Sequence, residues 1–177
     1  NGMYKNPVIN ADYSDPDVVC GGDDYYMTAS SFNCIPGLPI LHSKDLVNWE
    51  IIGHAVTKLQ PESEFDQPSH GNGVWAPCIS YHNGEFYIYW GDPDYGVFMV
   101  KTKDPAGKWD DPVCVIPGKG MIDTSPLWDE DGRVYLVNGW ANSRNRFASV
   151  ITVRELNADG TKAISDPVIV FDGNGTE

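Results

Sequence analysis

Three segments of this sequence can be laid over one another. The first runs Asp15-Pro16-Asp17-Val18-Val19, a Gly-Gly-Asp-Asp turn, then Tyr25-Tyr26-Met27. The second runs Ala76-Pro77-Cys78-Ile79-Ser80-Tyr81, then His82-Asn83-Gly84, then Phe86-Tyr87-Ile88. The third runs Asp123-Thr124-Ser125-Pro126-Leu127-Trp128, then Asp129-Glu130-Asp131-Gly132, then Val134-Tyr135-Leu136. Each reads as strand, polar turn, strand. A second hairpin follows each: Ile40–Asp45 returning through Trp49–Ile52, Phe98–Asp104 returning through Val113–Ile116, and Val150–Glu155 returning through Val168–Phe171. The unit is therefore four strands, with a period of about 50–60 residues.

Four-stranded units at this period predict the blades of a β-propeller, since a sandwich needs no internal repeat. The expected blades cover approximately 10–60, 70–117 and 120–172 of one domain spanning 1–177. Helical periodicity is nearly absent. The 13 prolines and 18 glycines lie mostly between the apolar runs, where turns need them. Propellers usually have about four to eight blades, so three imply a partial array. The open faces of the first and third blades are then expected to be sticky and to favour self-association.

Charge narrows the ligand classes. With 12 basic and 25 acidic residues the net charge is −13, which repels nucleic acid and leaves neutral or cationic ligands. No apolar run approaches the ~20 residues of a membrane span. The first residues show no signal-peptide pattern. The compartment stays open, leaning toward secreted or periplasmic. The four cysteines have no Cys-x-x-Cys spacing and read as buried free thiols. Asp129-Glu130-Asp131-Gly132 has part of a calcium-loop pattern without its later glutamate and reads as a tight turn. No metal ligand set is assigned.

The repeat places Asp15, Trp75-Ala76 and Asp123 at the leading ends of the innermost strands, which meet around a propeller axis. Two carboxylates from separate blades beside an indole suit glycoside hydrolysis. The alternatives stay open here. Aspartates opening turns accept backbone N–H groups, and a tryptophan is often core. Tyr26, Tyr87 and Tyr135 recur at equivalent positions and read as packing between blades. His70-Gly71-Asn72 and Trp140-Ala141-Asn142 fit pocket walls or plain loops equally well.

Taken in order, Asn6-Pro7-Val8, Ser14-Asp15-Pro16-Asp17, Gly22-Asp23-Asp24-Tyr25-Tyr26, Ser30-Ser31-Phe32, Pro36–Ile40, His42–Trp49, Gly73-Val74-Trp75-Ala76-Pro77 and Ile122-Asp123-Thr124-Ser125 resemble glycoside hydrolase family 43. These are β-xylosidases and α-L-arabinofuranosidases, and the resemblance covers nearly the whole chain. It implies an all-β, five-bladed β-propeller, of which this chain covers about three blades. It implies an inverting, exo-acting hydrolase releasing xylose or arabinofuranose from oligosaccharides derived from plant polysaccharides. Asp15 matches the general base. Asp123 matches the carboxylate that orients the acid and tunes its proton affinity. Phe32 and Trp75 match walls of the terminal-sugar subsite. No cofactor is required for the chemistry, and an axial or structural metal ion belongs to the full-length form. Thr124 stands where the family usually has proline. The general acid, a glutamate before Gly-Pro, is expected beyond this chain or at Glu177, so the chain alone is expected to be inactive. The alternative is a propeller that binds carbohydrate without cutting it.

Overall fold

A computed structural model describes residues 2–175. Twelve strands and two four-residue helices follow one another in the order β1 (Asp17–Gly21), β2 (Asp24–Thr28), β3 (Gly37–Ser43), β4 (Glu50–Val56), α1 (Glu62–Phe65), β5 (Trp75–His82), β6 (Glu85–Asp92), β7 (Gly96–Thr102), β8 (Val113–Pro117), β9 (Met121–Trp128), β10 (Val134–Trp140), α2 (Asn142–Asn145), β11 (Val150–Leu156) and β12 (Val168–Asp172). They form three antiparallel four-stranded meanders: β1–β4, β5–β8 and β9–β12. Turns such as Asn83-Gly84, with φ of 49° and 81°, close the hairpins with the left-handed backbone that tight two-residue loops need.

The alternation of side chains along each strand explains how the sheets stack. Leu38, Ile40 and Val56 of the first sheet meet Phe86, Ile88, Trp90, Phe98 and Val100 of the second in one core layer. The other face of the second sheet sends Tyr87, Tyr89, Val97 and Met99 against Met121, Val134, Leu136 and Leu156 of the third. Two of the repeated tyrosines, Tyr26 and Tyr87, do pack between sheets. Tyr26 meets Phe86 edge-on at 4.8 Å, and Tyr87 meets Trp128 at 4.9 Å. The buried Tyr89 hydroxyl donates to the Gly160 carbonyl of the third unit at 2.8 Å.

The first strands of the three units lie side by side, β5 packing against both β1 and β9. Asp17 accepts the Ile79 N–H at 2.8 Å, which ties β1 to β5. The Cys78 thiol reaches the Ser125 hydroxyl at 3.7 Å, which ties β5 to β9. The outward face of the third unit has no layer over it among the described residues, and Val168, Ile169, Val170 and Phe171 are each at least half exposed.

One sequence expectation is corrected. The cysteines are free thiols, but Cys20, Cys34 and Cys114 are exposed and only Cys78 is partly buried. Cys20 shares the outward face of β1 with exposed Val18, and Cys114 lies on the outermost strand of its sheet. An apolar neighbourhood in sequence does not bury a residue whose strand face points away from the core. Asp129–Gly132 forms a turn in which Gly132 N–H returns to the Asp129 carbonyl at 3.1 Å.

Candidate active site

The three positions aligned by the repeat share a backbone peculiarity. Asp15, Ala76 and Asp123 all have positive φ, at 49°, 24° and 53°. Side chains other than glycine resist this region, and it costs about 1–3 kcal/mol per residue, so such residues cluster where function demands a particular direction. In the second and third units the cause is a β-bulge. Ala76 and Pro77 of β5 stand opposite the single Trp90, and Asp123 and Thr124 of β9 stand opposite the single Asn138. A bulge re-aims a side chain out of the regular alternation. It turns Asp123 into the open while Thr124 beside it is buried.

Asp15 and Asp123 come within electrostatic reach of each other. Partial burial pushes the Asp123 carboxyl up from its ordinary value, and the negative charge of Asp15 pushes it further in the same direction. Asp15 is anchored from its own unit: the Ser30 hydroxyl donates to its Oδ2 at 2.7 Å. The same oxygen of Ser30 accepts the Ala76 N–H at 2.9 Å. Ser30 thus fixes the Asp15 carboxylate to the bulge of the second unit. The aspartate that accepts a backbone N–H from the neighbouring strand is Asp17.

Phe32, at φ 50° and 36% exposed, pairs with Val74 through reciprocal backbone hydrogen bonds of 3.0 Å. This bridge sets the Phe32 backbone two residues from Ser30 and directly against the residue before Trp75. Trp75 is partly exposed, not core. Its indole N–H donates to the Gly71 carbonyl at 2.7 Å. The Arg144 guanidinium covers its ring at 5.2 Å from the centroid. Arg144 is itself held by Asp94, through Nε to Oδ1 at 3.2 Å and Nη2 to Oδ2 at 2.9 Å, and by Asn72 Oδ1 at 3.2 Å. The two segments flagged in sequence divide. Gly71 and Asn72 serve this cluster, whereas the Trp140 indole turns to Thr152 at 3.1 Å.

Arg144, Asp94 and Ser30 were missed as site residues because each acts through a partner distant in sequence. The signals were the Ser30-Ser31-Phe32 segment, the acid-dense Asp92-Pro93-Asp94 turn and the position of Arg144 just after a flagged loop. Glu177 lies outside the described residues. An apolar hollow of about 600 Å³, lined by Pro7, Val8, Tyr13, Val18 and Trp49, lies elsewhere, on the outward face of the first unit.

Comparison with known proteins gives this geometry a family. A β-xylosidase of Formosa agariphila is 35% identical over 187 residues, covering 100% of this chain and 32% of the relative. A non-reducing end α-L-arabinofuranosidase of Bacteroides ovatus is 40% identical over 139 residues, 76% of this chain and 26% of the relative. The solved GH43 protein BlXynB of Bacillus licheniformis superposes with a TM-score of 0.79 at 34% identity, over 98% of this chain and 34% of that one. The chain spans about a third of the length of the Formosa relative and of BlXynB. Its three sheets correspond to part of a five-bladed β-propeller. The model of the glycosyl hydrolases family 43 matches residues 4–177, and the chain belongs to that family.

Proposed function

We propose that the protein carrying this chain is an inverting, exo-acting glycosidase that releases xylose or arabinofuranose from oligosaccharides. The observation that supports it is the electrostatic coupling of Asp15 and Asp123, carried by two different blades, with Ser30 tying Asp15 to the backbone next to the partly exposed Trp75. β-Xylosidases and an α-L-arabinofuranosidase among the relatives support the sugar class.

In this reading the Asp15 carboxylate takes a proton from a water molecule. The water oxygen attacks the anomeric carbon as the bond to the leaving oxygen breaks, and that oxygen receives a proton from a carboxylic acid. Inversion needs about 6.5–9.5 Å between base and acid, room enough for the water. Asp123 is a positioning residue for the acid. Its charge, already disfavoured by burial and by Asp15, favours the protonated form of any carboxyl group placed beside it. The hydrogen bond from Ser30 fixes the orientation of the Asp15 carboxylate. Phe32 and Trp75 present apolar surface to the C–H faces of the terminal sugar.

The test uses the intact protein with aryl xylosides and aryl arabinofuranosides. Asp15→Asn should lower kcat by about 10²–10⁴-fold, the usual worth of a general base. The first sugar released should carry inverted anomeric configuration by NMR. Near-normal turnover of Asp15→Asn, or product of retained configuration, would overturn the assignment. Sugar binding without turnover in the wild type would instead support the non-catalytic carbohydrate-binding reading.

A further inference from the structure

Behind the Asp123 bulge the layer between the second and third sheets turns polar: Asn138, Thr152 and Arg154 are all buried there. Resting on the function proposed above, we infer that Asn138 is a positioning residue for Asp123. Its side-chain amide, held by Thr152 and Arg154, locks the strand opposite the bulge and so fixes where the Asp123 carboxylate points.

Register comes first. Asn138 is the single residue of β10 opposite the bulged pair Asp123-Thr124. β10 itself alternates regularly, so Leu136, Asn138 and Trp140 share the face that meets the second sheet. Thr152 stands directly across on β11. Both ends of the Asn138 amide are engaged. Its Nδ2 donates to the Gly139 carbonyl at 2.7 Å. Its Oδ1 accepts the Thr152 hydroxyl and Arg154 Nη1, each at 3.0 Å. The Thr152 oxygen in turn accepts the Trp140 indole N–H at 3.1 Å. β10 is thus clamped to β11 at the point where β9 leaves regular pairing. The clamped stretch also touches the carboxylate: a side-chain carbon built on Gly139 would lie 3.7 Å from Asp123 Oδ2. What Asn138 holds is the floor beneath that oxygen.

Packing alone does not call for this arrangement. The left-handed backbone of Asp123, at φ 53°, persists only where its surroundings over-determine it. Arg154 makes no ion pair among the described residues, and burial disfavours its charge. Its guanidinium rests instead on the Asn138 oxygen and lies 5.8 Å from the centroid of the Trp140 ring. Apolar side chains at these three positions would fill the layer as their neighbours Leu136 and Leu156 do. A hydrogen-bonded set adds a unique geometry that apolar contacts lack. That geometry is placed where an aspartate has to be aimed.

The experiment uses the intact protein and two aryl glycosides of the sugar it releases, one with a phenyl and one with a dinitrophenyl leaving group. The phenyl oxygen departs only with a proton from the acid, whereas dinitrophenolate leaves without one. A fault in placing the acid therefore appears in the ratio of their kcat/KM values, phenyl over dinitrophenyl. Asp123→Asn is the reference and should lower this ratio about 10²-fold. Asn138→Ala, with Asp123 still present, should lower it about tenfold through misplacement. A merely structural role would slow both substrates alike and leave the ratio where it was. A ratio changed less than about twofold in Asn138→Ala overturns the inference. If circular dichroism shows that Asn138→Ala does not fold, Thr152→Val decides by the same ratio and the same limit, since it cuts one of the two bonds to Oδ1. Thr152→Ser keeps the hydroxyl and should recover most of the loss; equal losses in the two Thr152 variants also overturn the inference. A wild type that cleaves neither substrate, or an unchanged ratio in Asp123→Asn, defeats the proposed function and the inference with it. A fall in Asp123→Asn without one in Asn138→Ala defeats the inference alone.

Discussion

Replacing Asp92 by asparagine should make the protein more stable at neutral pH and not at acid pH. Asp92 ends β6, is 2% exposed, and accepts the N–H groups of Asp94 and Tyr95 at 3.0 and 3.3 Å. Burial dominates and pushes its carboxyl up from 3.8 to about 6, against the lowering by those two N–H groups and by Arg144. The folded protein therefore keeps this proton where the unfolded chain has released it. The stability contributed by the protonated form is complete below the unfolded value and is lost as pH rises through the folded value. At about 1.4 kcal/mol per unit, that loss approaches about 3 kcal/mol by neutral pH. Asparagine keeps an acceptor for both N–H groups and cannot ionise. Its buried NH₂ costs about 1 kcal/mol if left without a partner. The expected result is about 2 kcal/mol of added stability at about pH 7.5, and none, or a small loss, at about pH 4.5. Urea unfolding at both pH values measures it. A loss of stability at the higher pH, or an equal gain at both, would refute the claim that charging Asp92 strains the fold. The outcome bears on the site, because this turn carries Asp94, which holds Arg144 over Trp75.

Two further perturbations probe the packing that sets the site. Gly96→Ala should destabilise strongly, by about 3 kcal/mol or more, because Gly96 has φ 138° and its added carbon would meet the Ile116 carbonyl; urea or thermal unfolding reads the loss, and a change below about 0.5 kcal/mol would contradict the geometry. Thr124→Val should be neutral to stabilising by about 1 kcal/mol, since the Thr124 hydroxyl is buried without a hydrogen-bond partner among the described residues; a clear loss in the same assay would show that the hydroxyl has a partner.

The strands were legible in sequence because a propeller blade is built from local hairpins. Runs such as Phe86–Trp90 and Val134–Asn138 pair with neighbours only a turn away, so composition and alternation suffice. The equivalence of Asp15, Ala76 and Asp123 was legible too, because a repeat preserves position in the unit, and the shared positive φ is its physical counterpart. The exposure of the cysteines was not legible. It depends on which face of a strand meets another sheet, and a local apolar run is silent on that.

By itself, then, the sequence determined the four-stranded unit, its period, and the acids that lead the inner strands, all consequences of short-range pairing. Only the tertiary structure decided that Ser30 would hold Asp15 against the second blade, that bulges would aim Asp123 outward, and that Arg144 would reach across two blades to cover Trp75. Those relations join residues about 15 to 69 positions apart in the chain. Their geometry is set by how sheets stack, and stacking is a property of the packed layers and not of any one segment.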